Sequence, residues 1–239
     1  MKTGRSLALI VGAVLVGAGA YVAVVGFPVG WGIGGREPGR IWQVDTSPLA
    51  AVQREEFDVW LAAEPDRARE FAQFEAFIAR EGFADLLPAW TLLRANANKS
   101  ARCNADPFVL PPRALWRNIL PALRLVRAEV IPAIGPVAVA SAFRDPTLNA
   151  CSRGATQSRH LTFHALDLVP VMQPPAPDHF VKLCAAWRAA GTESRWGLGA
   201  YQDPAKPEQN AVGRFHVDGT GWRTWGFSYG RASSRCNAA

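Results

Sequence analysis

Cysteine is scarce in this sequence, and the four cysteines are far apart. Cys103, Cys151, Cys184 and Cys236 form no CxxC pair, which argues against a thiolate zinc knuckle and against a thioredoxin-like redox site. Basic residues never occur in a run of five or more, and no RNA-binding, zinc-finger or internal-repeat pattern is present. The net charge of +6 suits an anionic partner, but without such patterns we expect no nucleic acid.

The N-terminus, in contrast, carries one long apolar run. Lys2 and Arg5 precede an apolar stretch over residues 7–27, which is close to the roughly 20 residues that span a bilayer. Residues 1–30 are therefore predicted to be a retained signal anchor or a cleaved signal peptide with the small-residue motif at 18–20. The length of the run favours the anchor. The basic N-terminal side places the body of the protein in the periplasm, anchored in the inner membrane.

The remainder of the chain predicts a linker and one domain. Residues 31–48 are rich in glycine and proline and indicate a linker, and residues 49–239 follow as a domain with a helical part over 49–132 and a metal-site core over 136–228. In an exported protein the four cysteines predict two disulfides, for which three pairings are possible, although free thiols are the alternative.

Apolar periodicity predicts an α+β fold, with N-terminal helices packed on a small, mainly antiparallel sheet. Helical spacing covers residues 57–61, 71–78, 83–93, 115–130 and 180–190. Pro65 suits the first turn of the second helix, whereas Pro121 either kinks the fourth or marks its start. Strands are predicted at residues 137–141, 165–169, 196–201 and 214–218. Residues 146–154 are predicted to be a loop.

Histidine and aspartate candidates for a metal site fall in two of these regions. His160 and His164 share the spacing of an HExxH helix, but Leu161 stands where that motif needs glutamate. The alternative places His160 at the end of a loop and Asp167 on the following strand. His216 and Asp218, two residues apart on another strand, point the same way, so that these side chains can converge.

At these residues the chain resembles the zinc D-alanyl-D-alanine metallopeptidases, which cleave peptidoglycan peptides and share a fold with the hedgehog signalling domain. Their S-x-H, D and H-x-D pattern is matched by Ser158–His160, Asp167 and His216–Asp218. Their S-G-Y-R strand end is matched by Ser141–Arg144, and Gly219–Trp225 is similar to the tail of one subfamily.

The resemblance implies a role for each matched residue. Arg144 and Ser158 would bind substrate, Arg144 through a carboxylate or the scissile carbonyl. His164 stands at a variable position, and His179 is expected at the surface. The implied cofactor is Zn²⁺, and its implied ligands are His160, Asp167 and His216.

Two positions depart from the family pattern. Phe163 replaces a frequent glycine and is expected to reshape the pocket. Gly213 stands three residues before the last histidine, where many relatives carry an acidic general base. Asp218 is the first substitute for that base and Glu208 the second, but Asp218 is as readily a carboxylate that orients His216.

The resemblance implies a zinc-dependent peptidase of the bacterial cell envelope, a carboxypeptidase or endopeptidase that hydrolyses D-alanine-containing peptidoglycan peptides. The main alternative is a non-catalytic zinc-bearing module that binds cell wall or another protein. A disulfide-stabilised structural protein without metal is the third class.

Overall fold

The architecture is a set of helices packed against a five-stranded sheet. The computed structural model describes residues 48–172, 175–176, 178–202 and 212–237. The predicted membrane-targeting segment and the linker, apart from Pro48, lie outside the described residues. Within the described residues, no helix has the length and apolarity needed to cross a membrane.

The first two helices bury the predicted aromatic stripe. Helix α1 spans Pro48–Ala62 and α2 spans Pro65–Arg80, with Pro65 in the first turn of α2 as predicted. The Phe57 ring of α1 meets the Phe71 ring of α2 edge to face, with centroids 5.0 Å apart. Both rings belong to a continuous apolar core that extends to the sheet, so the helical prediction and the core assignment are confirmed.

The predicted helix at residues 83–93 is mostly wrong. Only Ala89–Leu93 is helical, and it forms a 3₁₀ turn. Pro88 disfavours helical backbone in the residue before it, so the apolar residues upstream pack as turns. Helix α3, Ala97–Arg102, follows and was not predicted; the Asn96 side chain caps it by accepting the Lys99 N–H at 3.1 Å.

One long helical segment then changes type along its length. It comprises a 3₁₀ turn over Arg113–Ile119, helix α4 over Leu120–Leu125, a π turn over Val126–Val130 and helix α5 over Ile131–Ile134. Pro121 lies in the first turn of α4, which settles the alternatives in favour of a helix start. The wider π turn directly precedes Pro132, whose ring would clash with a carbonyl in a regular α-helix.

The sheet confirms the four predicted strands and adds a fifth. Strands β1 (Val137–Ser141), β2 (Ala165–Pro170), β3 (Gly197–Ala200), β4 (Phe215–Asp218) and β5 (Arg223–Trp225) lie in the order β1-β2-β4-β3-β5. All neighbours are antiparallel except β3 and β5, which are parallel. The α+β class is therefore confirmed.

Two more helices and two disulfides complete the fold. Residues 146–151, predicted as a loop, form helix α6 (Pro146–Cys151), because Asp145 caps its first turn by accepting the Leu148 N–H at 2.9 Å. Helix α7 spans His179–Ala190 and ends at Gly191, as predicted.

The predicted disulfides are present, and their pairing is now defined. Cys103, directly after α3, joins Cys151 at the end of α6. Cys184 of α7 joins Cys236 near the C-terminus. Each bond therefore ties a helix to a segment about 50 residues away in the chain.

Candidate metal centre

The sheet brings the predicted ligands together by its register. Asp167 on β2 lies opposite His216 on β4, and His216 lies opposite Gly199 on β3. Gly199 in turn pairs with Trp225 on β5, so one cross-strand row runs over four strands. His160 enters from the 3₁₀ turn Arg159–Thr162, just before β2. The tight link between that turn and β2 places His160 beside the row.

The three side chains have the spacing that a tetrahedral zinc ion requires. His160 Nε2 lies 3.3 Å from Asp167 Oδ1 and 3.2 Å from His216 Nδ1, and His216 Nδ1 lies 3.1 Å from Asp167 Oδ1. Zinc bonds of about 2.0–2.1 Å give a tetrahedron with an edge of about 3.3 Å. All three residues are at most 5% exposed, and together they form a group that can hold a metal ion.

The remote nitrogens of both imidazoles fix which nitrogen faces the centre. His160 Nδ1 lies 2.5 Å from the Ala142 carbonyl oxygen, which can only accept, so Nδ1 carries the proton. His216 Nε2 lies 3.1 Å from Asp218 Oδ2 and donates to that carboxylate. In the neutral imidazoles, His160 Nε2 and His216 Nδ1 are therefore unprotonated and each carries a lone pair. Two nitrogen lone pairs and a carboxylate oxygen thus point at one position. Because all three atoms are electron-rich, a cation at that position would be stabilised.

The pKa shifts of His160, Asp167 and His216 are consistent with a cation between them. Burial lowers the pKa of His160 and outweighs the nearby Asp167. Burial alone would raise the pKa of Asp167, but the charges and hydrogen bonds of His160 and His216 hold it well below its usual range. Burial also acts to lower the pKa of His216, yet the hydrogen bonds to Asp167 and Asp218 raise it. A proton thus competes with a metal for His216.

The contacts of Asp218 are those expected of a carboxylate that orients a histidine. It is completely buried, and its oxygens accept from His216, from Arg223 Nη2 at 2.6 Å and Nη1 at 3.0 Å, and from the Thr220 hydroxyl at 2.6 Å. Burial would raise its pKa, but His216, Arg223 and Thr220 lower it instead. Asp218 is absent from the residues lining the pocket. A proton shuttle needs a free, accessible oxygen, so this geometry favours the orienting role.

Arg144 is held in the pocket with part of its guanidinium unsatisfied. It is 4% exposed, so it is not a surface residue. Its Nη1 donates to Asn149 Oδ1 at 3.1 Å, whereas the buried Nε has no hydrogen-bond partner. Among the described residues no carboxylate pairs with it. A buried arginine with an unused donor is suited to an anionic or carbonyl ligand.

The pocket around the three predicted ligand residues has a volume of about 620 Å³. Ser158, a predicted substrate contact, lines it together with Arg144. His164 does not: its Nδ1 bonds the Thr162 hydroxyl at 2.9 Å. Glu208 lies outside the described residues. His160, Asp167, His216, Arg144 and Ser158 are thus brought together, although their roles as ligands and substrate contacts stay predictions.

The sequence analysis missed four aromatic residues that line the pocket, namely Tyr201, Trp225, Phe227 and Tyr229. The Trp225 ring packs on His216, with centroids 5.0 Å apart. The glycine at position 199 leaves room for this contact, since a Cβ there would come within 3.0 Å of both side chains. Trp225 Nε1 also donates to the Tyr201 hydroxyl oxygen at 3.2 Å. Burial raises the pKa of Tyr201, so the phenol keeps its proton. Strand alternation from His216 could have located Arg214 but not Trp225, whose strand was not predicted.

Both departures from the family pattern have a structural explanation. Phe163 does not reshape the pocket as expected: it is fully buried and points into the core, near Phe74 and Phe143. Its φ of +56° explains why glycine suits this position. Gly213 has a φ of +62°, and a Cβ there would lie 2.8 Å from His179 Nε2. His179 is buried rather than at the surface, so an acidic side chain has no room at Gly213.

The comparisons with known proteins agree with the motifs. The family model described as Peptidase M15 matches residues 92–203, a range that includes Arg144, His160 and Asp167 and ends before His216. No curated protein and no solved structure matches the chain. Over residues 92–203 the chain is therefore similar to the Peptidase M15 family, which confirms the resemblance drawn from its sequence.

Proposed function

We propose that this protein is a zinc-dependent peptidase of the bacterial cell envelope that hydrolyses peptide bonds next to D-alanine in peptidoglycan. The observation that carries the proposal is the convergence of His160 Nε2, His216 Nδ1 and Asp167 Oδ1 at 3.1–3.3 Å from one another in a pocket. The match of residues 92–203 to the Peptidase M15 family model supports the reaction class, and the resemblance to D-alanyl-D-alanine metallopeptidases supports the substrate.

His160, Asp167 and His216 would hold the ion, and two imidazoles with one carboxylate are a ligand set that hydrolytic zinc sites use. A zinc ion bound there would supply a water nucleophile at neutral pH and would polarise a carbonyl. The Ala142 carbonyl and Asp218 keep both histidines in the tautomer that faces the ion.

Arg144 and Tyr201 are the substrate-directed groups of the pocket. Arg144 binds a substrate carboxylate or the scissile carbonyl through its fork of donors. The hydroxyl oxygen of Tyr201 already accepts from Trp225, so its proton is available to an oxygen that gains charge during hydrolysis. Asp218 orients His216 and takes no proton. Glu208 is then the remaining sequence-derived candidate for the general base.

The compartment and attachment are part of the proposal. Two disulfides are typical of exported proteins, and they support a periplasmic location. The apolar run near the N-terminus supports anchoring in the inner membrane. Peptidoglycan peptides, which lie outside that membrane, are then accessible to the domain.

The experiment is a hydrolysis assay on the purified full chain in detergent. We expect bound zinc and release of D-alanine, or cleavage of crosslinks, from peptidoglycan. His216→Ala removes a ligand and should abolish both the zinc and the hydrolysis. His164→Ala is the matched control, because His164 is also a histidine of the motif region, and its side chain bonds Thr162 and does not line the pocket among the described residues. It should leave both unchanged.

One observation favours a second candidate, the non-catalytic zinc-bearing module. Asp167 is the only carboxylate among the described residues that line the pocket, so no described side chain there is an evident general base. Zinc bound by wild type without hydrolysis of any peptidoglycan preparation would favour this module. Hydrolysis without zinc would contradict both candidates.

A further inference from the structure

The pocket around the metal centre carries an excess of positive charge. Its described lining includes Lys99, Arg144, Arg159, Arg214, Arg223 and Arg231. Arg223 is neutralised by its ion pair with Asp218 at 2.6 Å, and Asp167 faces the ion position. No carboxylate in the described part of the chain pairs with the other five cations. Such a pocket is suited to a ligand that brings more than one negative charge.

Lys99 and Arg144 are the cations of this group that burial affects most clearly. Burial, followed by the nearby positive charge of Arg144, lowers the pKa of Lys99 to about 8. Arg144 is 4% exposed and has an unsatisfied Nε. Removing an unpaired cation from water is unfavourable. Anions bound at these two side chains would offset that cost.

Both cations are held in place by one covalently linked unit. Lys99 lies in the first turn of α3, where its N–H is capped by Asn96 at 3.1 Å. The disulfide Cys103–Cys151 joins the end of α3 to α6. Helix α6 also carries Asn149, whose Oδ1 accepts from Arg144. The backbone at Lys99 and the side chain of Arg144 are therefore organised before a ligand arrives, which lowers the entropic cost of binding.

We propose that Lys99 and Arg144 form a paired anion subsite that selects peptides with two carboxylates, one near the scissile bond and one at a neighbouring residue. This inference rests on the proposed function for the identity of the ligand as a peptide. Arg144 alone can bind one carboxylate in a two-pronged geometry. The ammonium of Lys99 then binds the second as a compact charge, so Lys99 determines specificity rather than taking part in bond cleavage.

The test compares binding of two peptides that differ by one charge. N-acetyl-D-Glu-D-Ala-D-Ala has two carboxylates, and N-acetyl-D-Gln-D-Ala-D-Ala has one at nearly the same size. Both peptides are made with a methylene group in place of the amide nitrogen of the D-Ala-D-Ala bond, so that they cannot be cleaved. Calorimetry with the zinc-loaded full chain should then give at least a tenfold higher affinity for the glutamate peptide. Lys99→Met should reduce this preference to less than twofold by weakening the glutamate peptide alone, and Lys99→Arg should keep most of it.

Controls separate this inference from general electrostatics and from the proposed function. Lys182→Met removes an exposed lysine that pairs with Asp178 on α7, and it should keep the full tenfold preference. Equal binding of both peptides by wild type, or equal weakening of both by Lys99→Met, would overturn the inference. Binding is measured apart from cleavage, so a Lys99-dependent preference without hydrolysis would refute the proposed function while the subsite stands.

Discussion

Replacing Asp218 with asparagine distinguishes an orienting carboxylate from a general base. Asparagine keeps the size of the side chain and an oxygen that can accept from His216 Nε2. It removes the negative charge of Asp218, whose Oδ2 lies 3.1 Å from His216 Nε2 and orients the imidazole. Loss of a carboxylate that orients a zinc ligand typically costs 10–100-fold in metal affinity, or about 1.4–2.7 kcal/mol. We therefore expect zinc affinity to fall by that factor.

The same substitution has a calculable effect on folding stability. Asp218 is completely buried, whereas the side chain of Arg223 is 39% exposed. Breaking a fully buried ion pair costs roughly 3–5 kcal/mol, but water can solvate the exposed part of Arg223, so we expect roughly 1–3 kcal/mol. Because the folded pKa of Asp218 is lowered, this advantage of wild type is present at neutral pH. It shrinks as pH falls below about 3.9 toward the folded pKa.

The assay is a zinc titration against a chromophoric chelator, followed by hydrolysis of peptidoglycan at saturating zinc. We expect kcat of Asp218→Asn to return to within about tenfold of wild type once zinc saturates the site, because the carboxylate acts through His216. Asp178→Asn is the matched control, since Asp178 is an exposed aspartate paired with Lys182. Unchanged zinc affinity with a loss of kcat of roughly 10²–10⁴-fold would refute this reasoning and identify Asp218 as the base.

Three further predictions concern stability and pH. Phe163→Ala should lower the free energy of unfolding in urea by about 3–5 kcal/mol with unchanged zinc affinity, because the ring fills the core and not the pocket. Gly213→Ala should destabilise by at least about 1–2 kcal/mol in thermal unfolding, because its φ is +62° and a Cβ would contact a buried histidine. Gly230→Ala should not, because its φ is −99° and a Cβ there would make only an ordinary contact with Ser228 Oγ at 3.7 Å. Zinc affinity should fall between pH 7.5 and 5.5, because the raised pKa of His216 lets a proton compete with the metal; a flat profile would contradict this assignment.

The predicted ligand residues could be named because the family resemblance matches each of them within a short motif. Strand alternation added that His216 and Asp218 point the same way, and the register of β2 and β4 makes Asp167 and His216 neighbours. The tautomers were not predictable. The Ala142 carbonyl that fixes His160 is a backbone atom, and sequence carries no information about which carbonyl an imidazole will meet.

The secondary-structure elements that were predicted wrongly or not at all share a local cause. Each is short, and neighbouring residues in it favour different structures. Residues 146–151 contain a proline that suggests a loop, but Asp145 and Pro146 together make a capped helix start. Residues 83–88 are apolar enough for a helix, yet Pro88 ends any such pattern. Strand β5 has three residues, which is too short for periodicity to detect.

The pocket cations show a different limit. Lys99 lies 61 residues before His160 in the numbering and on a six-residue helix, so no sequence pattern links the two. The disulfide between α3 and α6 instead joins the helix of Lys99 to the helix whose Asn149 accepts from Arg144. The three possible pairings of four cysteines left it open.

The most direct test of the account is the zinc stoichiometry of the purified full chain, measured by elemental analysis on wild type, Asp167→Asn and Asp178→Asn. Asp167 Oδ1 lies within 3.3 Å of both imidazole nitrogens, so its loss removes one of three ligands, whereas Asp178 lies on the surface in an ion pair. We predict one zinc ion per chain in wild type and Asp178→Asn, and at most a small fraction in Asp167→Asn after dialysis against a chelator. Equal zinc in all three proteins, or none in wild type after zinc loading, would contradict the metal centre.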